Sequence, residues 1–312
     1  MPDLSFNLFG KFSAHRDSQP VKGLEANKDQ QLLSFLLIRR NQYHSREALA
    51  AMFWGDHSTE RSKKYLRQSL WHLQAALGSP QNGQSNYLLI EHDWLQVNPS
   101  NHPWCDVDEF EKAFTAAQGV SPNQLTEEQA KQLKDAAVLY RDDLLTSWYQ
   151  DWVLFERERL QNSYLLLLDK LSTYSELHHE YEQGQMYAGN ILKYDPARER
   201  THRQLMRLYY LLGDRTAALR QYERCVSVLR SELGVSPERR TTDLHQQIKS
   251  DQFDSVKLAD PNTATTLPAI SEPVDLIGCL KQIQGMLSAV QHRIQRDLRA
   301  LEAQPRTQKK KL

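Results

Sequence analysis

Apolar positions along this chain follow two successive rhythms. Near the start Leu4, Phe6 and Leu8 alternate with polar neighbours, the period of a half-buried strand, and Gly10 marks a turn within residues 4–14. A second short strand or turn is expected around 18-SQPVKG-23. The spacing then shifts to threes and fours. Residues 28-KDQQLLSFLLIRR-40 predict a helix whose broad apolar face carries Leu32, Leu33, Phe35, Leu36 and Leu37. Ser45 offers a side-chain oxygen to the open N–H groups of a helix over 46–54, and Gly55 ends that helix. A third helix occupies 60-ERSKKYLRQSLWHLQAALG-78 and stops at Gly78. After a loop of Ser, Pro, Gln, Asn and Gly, 87-YLLIEHDWLQV-97 predicts two strands turning at His92–Asp93. Strands, three helices and a hairpin, in that order, predict a winged helix-turn-helix with an N-terminal sheet.

From Trp104 the pattern is almost wholly helical. Thr126 with Gln129 forms a capping box ahead of a helix over 127–140, and further helices are expected at about 149–177, 181–194, 198–212, 215–233 and 237–249. An internal repeat runs through them. Gly184, Ala188 and Ile191 recur 34 residues on as Ala218, Tyr222 and Cys225, and the turn residue His179 maps onto Gly213. That period, with small residues where helices touch, is the tetratricopeptide signature. Residues 251–273 are polar and rich in proline, as a linker would be, and 274–303 carry apolar residues at helical spacing before a basic tail at 304–312. The expected fold class is therefore mainly α: a winged helix-turn-helix (α+β) over 1–100, an all-α tetratricopeptide-like domain over 104–250, and a C-terminal amphipathic helix. The last helix wants a partner, and a second copy of the chain is one candidate.

Composition narrows the function. The formal net charge is zero, but residues 1–103 carry +2, residues 104–250 carry −4 and residues 251–312 carry +2. Within the first segment Arg61, Lys63, Lys64 and Arg67 fall in a run of seven residues. Such clustering, more than the total, governs contact with phosphates. No run reaches the roughly 18 apolar residues of a membrane span, and the N-terminus lacks the apolar block of a signal peptide, so the expected compartment is the cytoplasm and no membrane partner is expected. Three widely spaced cysteines, Cys105, Cys225 and Cys279, read as reduced structural thiols, and neither a metal nor any other cofactor is expected.

No phosphate-binding glycine loop of either common type is present, and no nucleophile stands beside a base, so no enzyme activity is expected. His178–His179 read as a solvated turn. Asp142–Asp143 and Glu156/Glu158 read as capping or solvent-facing carboxylates. The aromatics of 148-WYQDWVLF-155 read as core, Trp152 and Phe155 above all. Tyr181, Tyr187, Arg203 and Tyr209 are candidates for a peptide groove on the repeats.

The third helix holds the candidate chemistry. At about 100° per residue, Leu66, Leu70, Leu73 and Leu77 cluster within roughly 60° as a buried stripe. The opposite face carries Lys64, Gln68, Trp71 and Ala75 with Arg61 and His72 beside them, and Lys63 and Arg67 on the flank. Arg and Lys reach guanine acceptors or phosphates, and Gln pairs with adenine, so this face suits the major groove of double-stranded DNA.

Several stretches taken together resemble the bacterial transcriptional activator domain family, the antibiotic-regulatory-protein type of regulator. They are 45-SREALAAMFWGD-56, 66-LRQSLWHLQAALG-78, 104-WCDVDEFEKAF-114, 140-YRDDLLTSWYQDWVLFERERL-160 and 205-LMRLYYLLGDRTAALRQYERCVSVLRSELGVSP-237. The resemblance spans about residues 4–249. It implies an OmpR-type winged helix joined to a tetratricopeptide-like domain, acting as a DNA-binding transcriptional regulator, with activation the expected sign. It also implies that the third helix enters the major groove, that the 87–97 hairpin approaches a neighbouring minor groove, and that 55-GDHSTE-60 faces RNA polymerase. Side-by-side protomers on direct repeats are the implied arrangement. Members similar to this chain usually carry Ser near Trp71 and Arg near His72. Those departures, with the neutral net charge, motivate a rival reading: an interaction scaffold that keeps the winged-helix shape without sequence-specific DNA binding.

Overall fold

The computed structural model describes residues 4–78, 87–101 and 103–252. The amphipathic helix and basic tail expected beyond the repeats, and all but the first two residues of the linker, lie outside the described residues.

The chain opens with β1 (Leu4–Asn7), β2 (Ser13–Arg16) and β3 (Gln19–Pro20). Leu4 and Phe6 of β1 point inward, and Gly10 takes φ +89° in the connection to β2, a conformation that suits a residue without Cβ. α1 (Asn27–Ile38) follows, then β4 (His44–Ser45), α2 (Arg46–Trp54), α3 (Thr59–Leu77), β5 (Leu88–Ile90) and β6 (Trp94–Val97). The Ser45 hydroxyl accepts from the Ala48 N–H, so it caps α2 as its position predicts. Gly55 ends α2 for a steric reason: its φ is −60°, and a Cβ there would sit 2.5 Å from the Ala51 carbonyl oxygen. β5 and β6 pair antiparallel, with β4 on the far side of β6, giving the order β4-β6-β5.

β7 (Trp104–Cys105) was not legible in the pattern, which predicts helix from Trp104 on. It runs parallel to β1, with Cys105 opposite Phe6, and completes a sheet of order β3-β2-β1-β7. Helices then succeed one another: α4 (Asp106–Ala116), α5 (Glu127–Leu139), α6 (Asp151–Leu177), α7 (Tyr181–Tyr194), α8 (Glu199–Leu211), α9 (Arg215–Val228) and α10 (Arg239–Lys249). Thr126 and Gln129 form the expected reciprocal capping box on α5. The helix expected over 215–233 is α9 followed by a π-helical turn at Leu229–Leu233, which ends in Gly234 at φ +68°.

The repeat is visible in the packing. Ala188, Ile191, Ala218 and Cys225 are fully buried between helices, and a Cβ on Gly184 would lie 3.2 Å from Leu208 Cδ2 and 3.3 Å from the Ser172 carbonyl oxygen. The paired turn residues share one conformation: His179 has φ +61° and Gly213 φ +81°.

One apolar core runs from Leu4 and Phe6 through Leu36, Leu70 and Leu95 to Phe110, Val153, Leu171 and Ile191. It includes both Val97 and Cys105, on either side of the expected boundary, and all described residues lie in one compact unit. Backbone hydrogen bonds stitch the same seam. The Gly10 N–H donates to the Asp143 carbonyl at 2.9 Å, and Leu145 and Thr146 donate to the carbonyls of Leu8 and Gly10 at 2.9 Å each. The Asp106 carboxylate accepts from the N–H groups of Leu8, Phe9 and Val107 at 2.8–3.0 Å. Burial pushes its pKa up, and those bonds only partly offset the cost. Arg157 donates to the carbonyls of Leu144, Leu145 and Trp148.

Candidate nucleic-acid interface

Helix α3 holds the candidate residues on a firm base. Leu66, Leu70, Leu73 and Leu77 are buried, as the leucine spacing predicts. Polar side chains fix the ends of the same inner face. The Ser62 hydroxyl donates to the Trp54 carbonyl at 2.7 Å and so ties the start of α3 to the end of α2. At the other end Arg16 donates to the Leu77 carbonyl at 2.7 Å, and Gly78 turns the chain away at φ +103°.

Arg61, Lys64, Arg67, Gln68 and Trp71 are exposed. Among the described residues Arg61, Lys64 and Arg67 take part in no ion pair, and all three side chains are exposed. Lys63 is engaged differently: its Nζ lies 2.8 Å from the Glu47 carboxylate of α2. His72 is half-buried, with Nδ1 2.9 Å from Asp29 Oδ2 on α1. Asp29 is itself buried and also takes the Ser69 hydroxyl, so one carboxylate joins α1 to two successive turns of α3. The sequence pattern did not reveal Asp29, because its partners stand 40 and 43 residues away.

The hairpin beside α3 is anchored through α2. β4 pairs with β6, the Arg46 N–H donates to the Asp93 carbonyl at 2.9 Å, and the Arg46 guanidinium donates to the Glu91 and His92 carbonyls at 2.9 and 3.3 Å. Arg46 is a positioning residue that sequence reading missed. A cation at the first position of a helix carries no signal of a bond to a turn 45 residues on. Between α3 and the hairpin lies an open groove lined by Ser45, Arg46, Glu47, Glu60, Lys63, Leu66, Arg67, His92 and Asp93. The connection from α2 to α3, residues 55–58, is exposed throughout, as are Thr59 and Glu60 in the first turn of α3.

Other expectations fared unevenly. Glu156 is not solvent-facing: it is buried and bonded to Arg39 at 2.9 Å and Arg159 at 2.7 Å, in a network that also holds Arg40, Asp108 and Glu111. Asp143 accepts from the Tyr140 hydroxyl at 2.8 Å. Trp148 and Trp152 are core, Trp152 lying edge-on to Phe35, but Phe155 is 62% exposed because it falls on the outer side of α6. Tyr187 is buried and Arg203 is held by Glu238 and Thr241, which removes both from a peptide groove. His178 bonds the Tyr174 carbonyl and His179 the Tyr181 hydroxyl, and among the described residues no three metal-ligating side chains converge. Nor is any described helix long and apolar enough to cross a membrane.

A winged helix with an outward cationic face, continuous with stacked helical hairpins, defines a class. Residues 105–249 match the Bacterial transcriptional activator domain, and the chain is a transcriptional regulator. It is similar to the transcriptional regulatory protein MoaR1 of Mycobacterium tuberculosis (strain ATCC 25618 / H37Rv), with 24% identity over 257 residues, covering 78% of this chain and 79% of that protein. MoaR1 of Mycobacterium bovis (strain BCG / Pasteur 1173P2) matches with the same identity and coverage. Among solved structures, Mycobacterium tuberculosis EmbR in complex with a low-affinity phosphopeptide shares the fold at a TM-score of 0.66 and 21% identity, covering 83% of this chain and 68% of that one.

Proposed function

We propose that the chain activates transcription by binding double-stranded DNA, with α3 in the major groove and the β5–β6 hairpin at a neighbouring minor groove. The observation that carries this reading is the exposed face of α3. Among the described residues Arg61, Lys64 and Arg67 form no ion pair there beside Gln68, on a helix whose other face is locked into the core. Phosphates and base edges offer the acceptors those donors lack. The open groove between α3 and the hairpin gives a strand of the duplex a place to lie. Lys63 joins when phosphate competes with Glu47. The exposed stretch 55–60, the α2–α3 connection with the first residues of α3, faces RNA polymerase, and the helical domain carries contacts to a second protomer on a direct repeat or to another partner.

Salt dependence tests the reading. Each phosphate contact contributes about −0.9 to the slope of log affinity against log salt. Lys64→Ala and Arg67→Ala should each weaken binding to a selected duplex and flatten that slope by about one unit. A slope unchanged by both substitutions, or a full-length protein that enriches no sequence from random DNA, would favour the scaffold reading.

A further inference from the structure

Trp71 is the one large apolar side chain on the outward face of α3, and it is 68% exposed. An indole held in water forgoes the burial that usually justifies a tryptophan. Its neighbours on that face are Lys64 two turns back, Gln68 one turn back and Ala75 one turn on, with Arg61 and Arg67 to either side. This is a cationic setting, which favours a polyanion over an apolar protein surface. Ala75 keeps the next turn low, so a broad surface can approach the indole closely.

The ring is also steered from beneath. His72 lies edge-on to it, with ring centroids 5.5 Å apart and planes at 62°, and His72 is pinned by Asp29 on α1. Asp29 is in turn held by Ser69. The chain Ser69–Asp29–His72 therefore supports Trp71 from residues that do not themselves face outward.

Resting on the DNA-binding reading above, we propose that Trp71 determines sequence preference by packing against the C5-methyl group of thymine in the major groove. Only thymine presents a methyl there, and an apolar side chain reads it without a hydrogen bond. Gln68, one turn away on the same face, suits adenine, whose N6–H donates to the side-chain amide oxygen while N7 accepts from its N–H. The pair calls for A·T base pairs beneath the middle of α3.

Replacing thymine by deoxyuridine removes that methyl and nothing else. The intact chain is used to select a duplex from random DNA, and the duplex is resynthesised with deoxyuridine at each thymine in turn. At one or two positions the swap should weaken binding about four-fold, the equivalent of ~0.8 kcal/mol for one buried carbon. Trp71→Ala, whose solvent-facing position leaves the core untouched, should bind the thymine and uridine duplexes equally at those positions. Lys64→Ala should weaken both while keeping their ratio. If no uridine swap matters, or if Trp71→Ala keeps the wild-type ratio, the proposal is overturned and Trp71 serves another surface such as a protein partner. Failure to select any sequence would instead remove the DNA-binding reading, and this inference with it.

Discussion

Replacing Asp106 by alanine should unsettle the whole described unit, although no site residue is touched. The carboxylate is 3% exposed and accepts from three backbone N–H groups, those of Leu8, Phe9 and Val107. In the variant these donors stay buried without a partner, at a cost of about 1–3 kcal/mol each. The variant recovers the desolvation cost that raises the Asp106 pKa, which offsets part of the loss. A net destabilisation of roughly 3–5 kcal/mol remains, a large share of the ~5–15 kcal/mol typical of a folded domain. Equilibrium urea unfolding checks both size and cooperativity, with tryptophan fluorescence and far-ultraviolet dichroism followed together. Trp54 lies in the winged helix and Trp148 and Trp152 in the helical part, all on one core. The two signals should therefore fall together, at a midpoint well below that of the parent. A loss under about 1 kcal/mol would refute the bond-by-bond reasoning. Separate transitions for the two signals in the parent would refute the shared core.

Two further outcomes follow from the repeats. His179 and Gly213 occupy equivalent left-handed turns at φ +61° and +81°, so Gly213→Ala should lower stability by about 1 kcal/mol, while His179→Gly should be neutral or stabilising; thermal melts of both variants check the asymmetry, and equal losses would contradict it. His202 is buried, accepts from Gln221 Nε2 at Nδ1 and donates from Nε2 to the Pro196 carbonyl at 2.8 Å, and burial holds its pKa below the ordinary histidine value. Because the folded state resists protonation, its contribution is present above the ordinary histidine pKa and lost as pH falls through that range. The melting temperature of His202→Gln should therefore fall less steeply between neutral and mildly acid pH than that of the parent; equal slopes would exclude the assignment.

What the sequence revealed is local. The leucine spacing of α3, the Ser45 cap and the Thr126–Gln129 box each depend on residues within one or two helical turns, and each appears where the pattern puts it. The exposed side of α3 was legible for the same reason: once four leucines define the inside, the outside follows. What escaped is carried by distant partners. β7 is two residues long and exists because Cys105 meets Phe6, a pairing no local window contains. The Glu156 carboxylate looked like a surface charge until Arg39, 117 residues earlier, proved to bond it. His72 stood beside the outward face in the helical projection, yet its Nδ1 lies 2.9 Å from Asp29 Oδ2 of α1, a partner 43 residues away that no local window contains.

Helix α6 gives the molecule a lever. Its 27 residues span about 40 Å at ~1.5 Å per residue. Near its start Trp152 is wedged against Phe35 and Phe53 beneath the winged helix, and near its end Ser172 and Glu176 are bonded to α7 and α8. A tilt of about 5° over that length would displace the far end by roughly 3.5 Å. One rod packed at both ends thus carries any displacement at the repeats into the core beneath the winged helix.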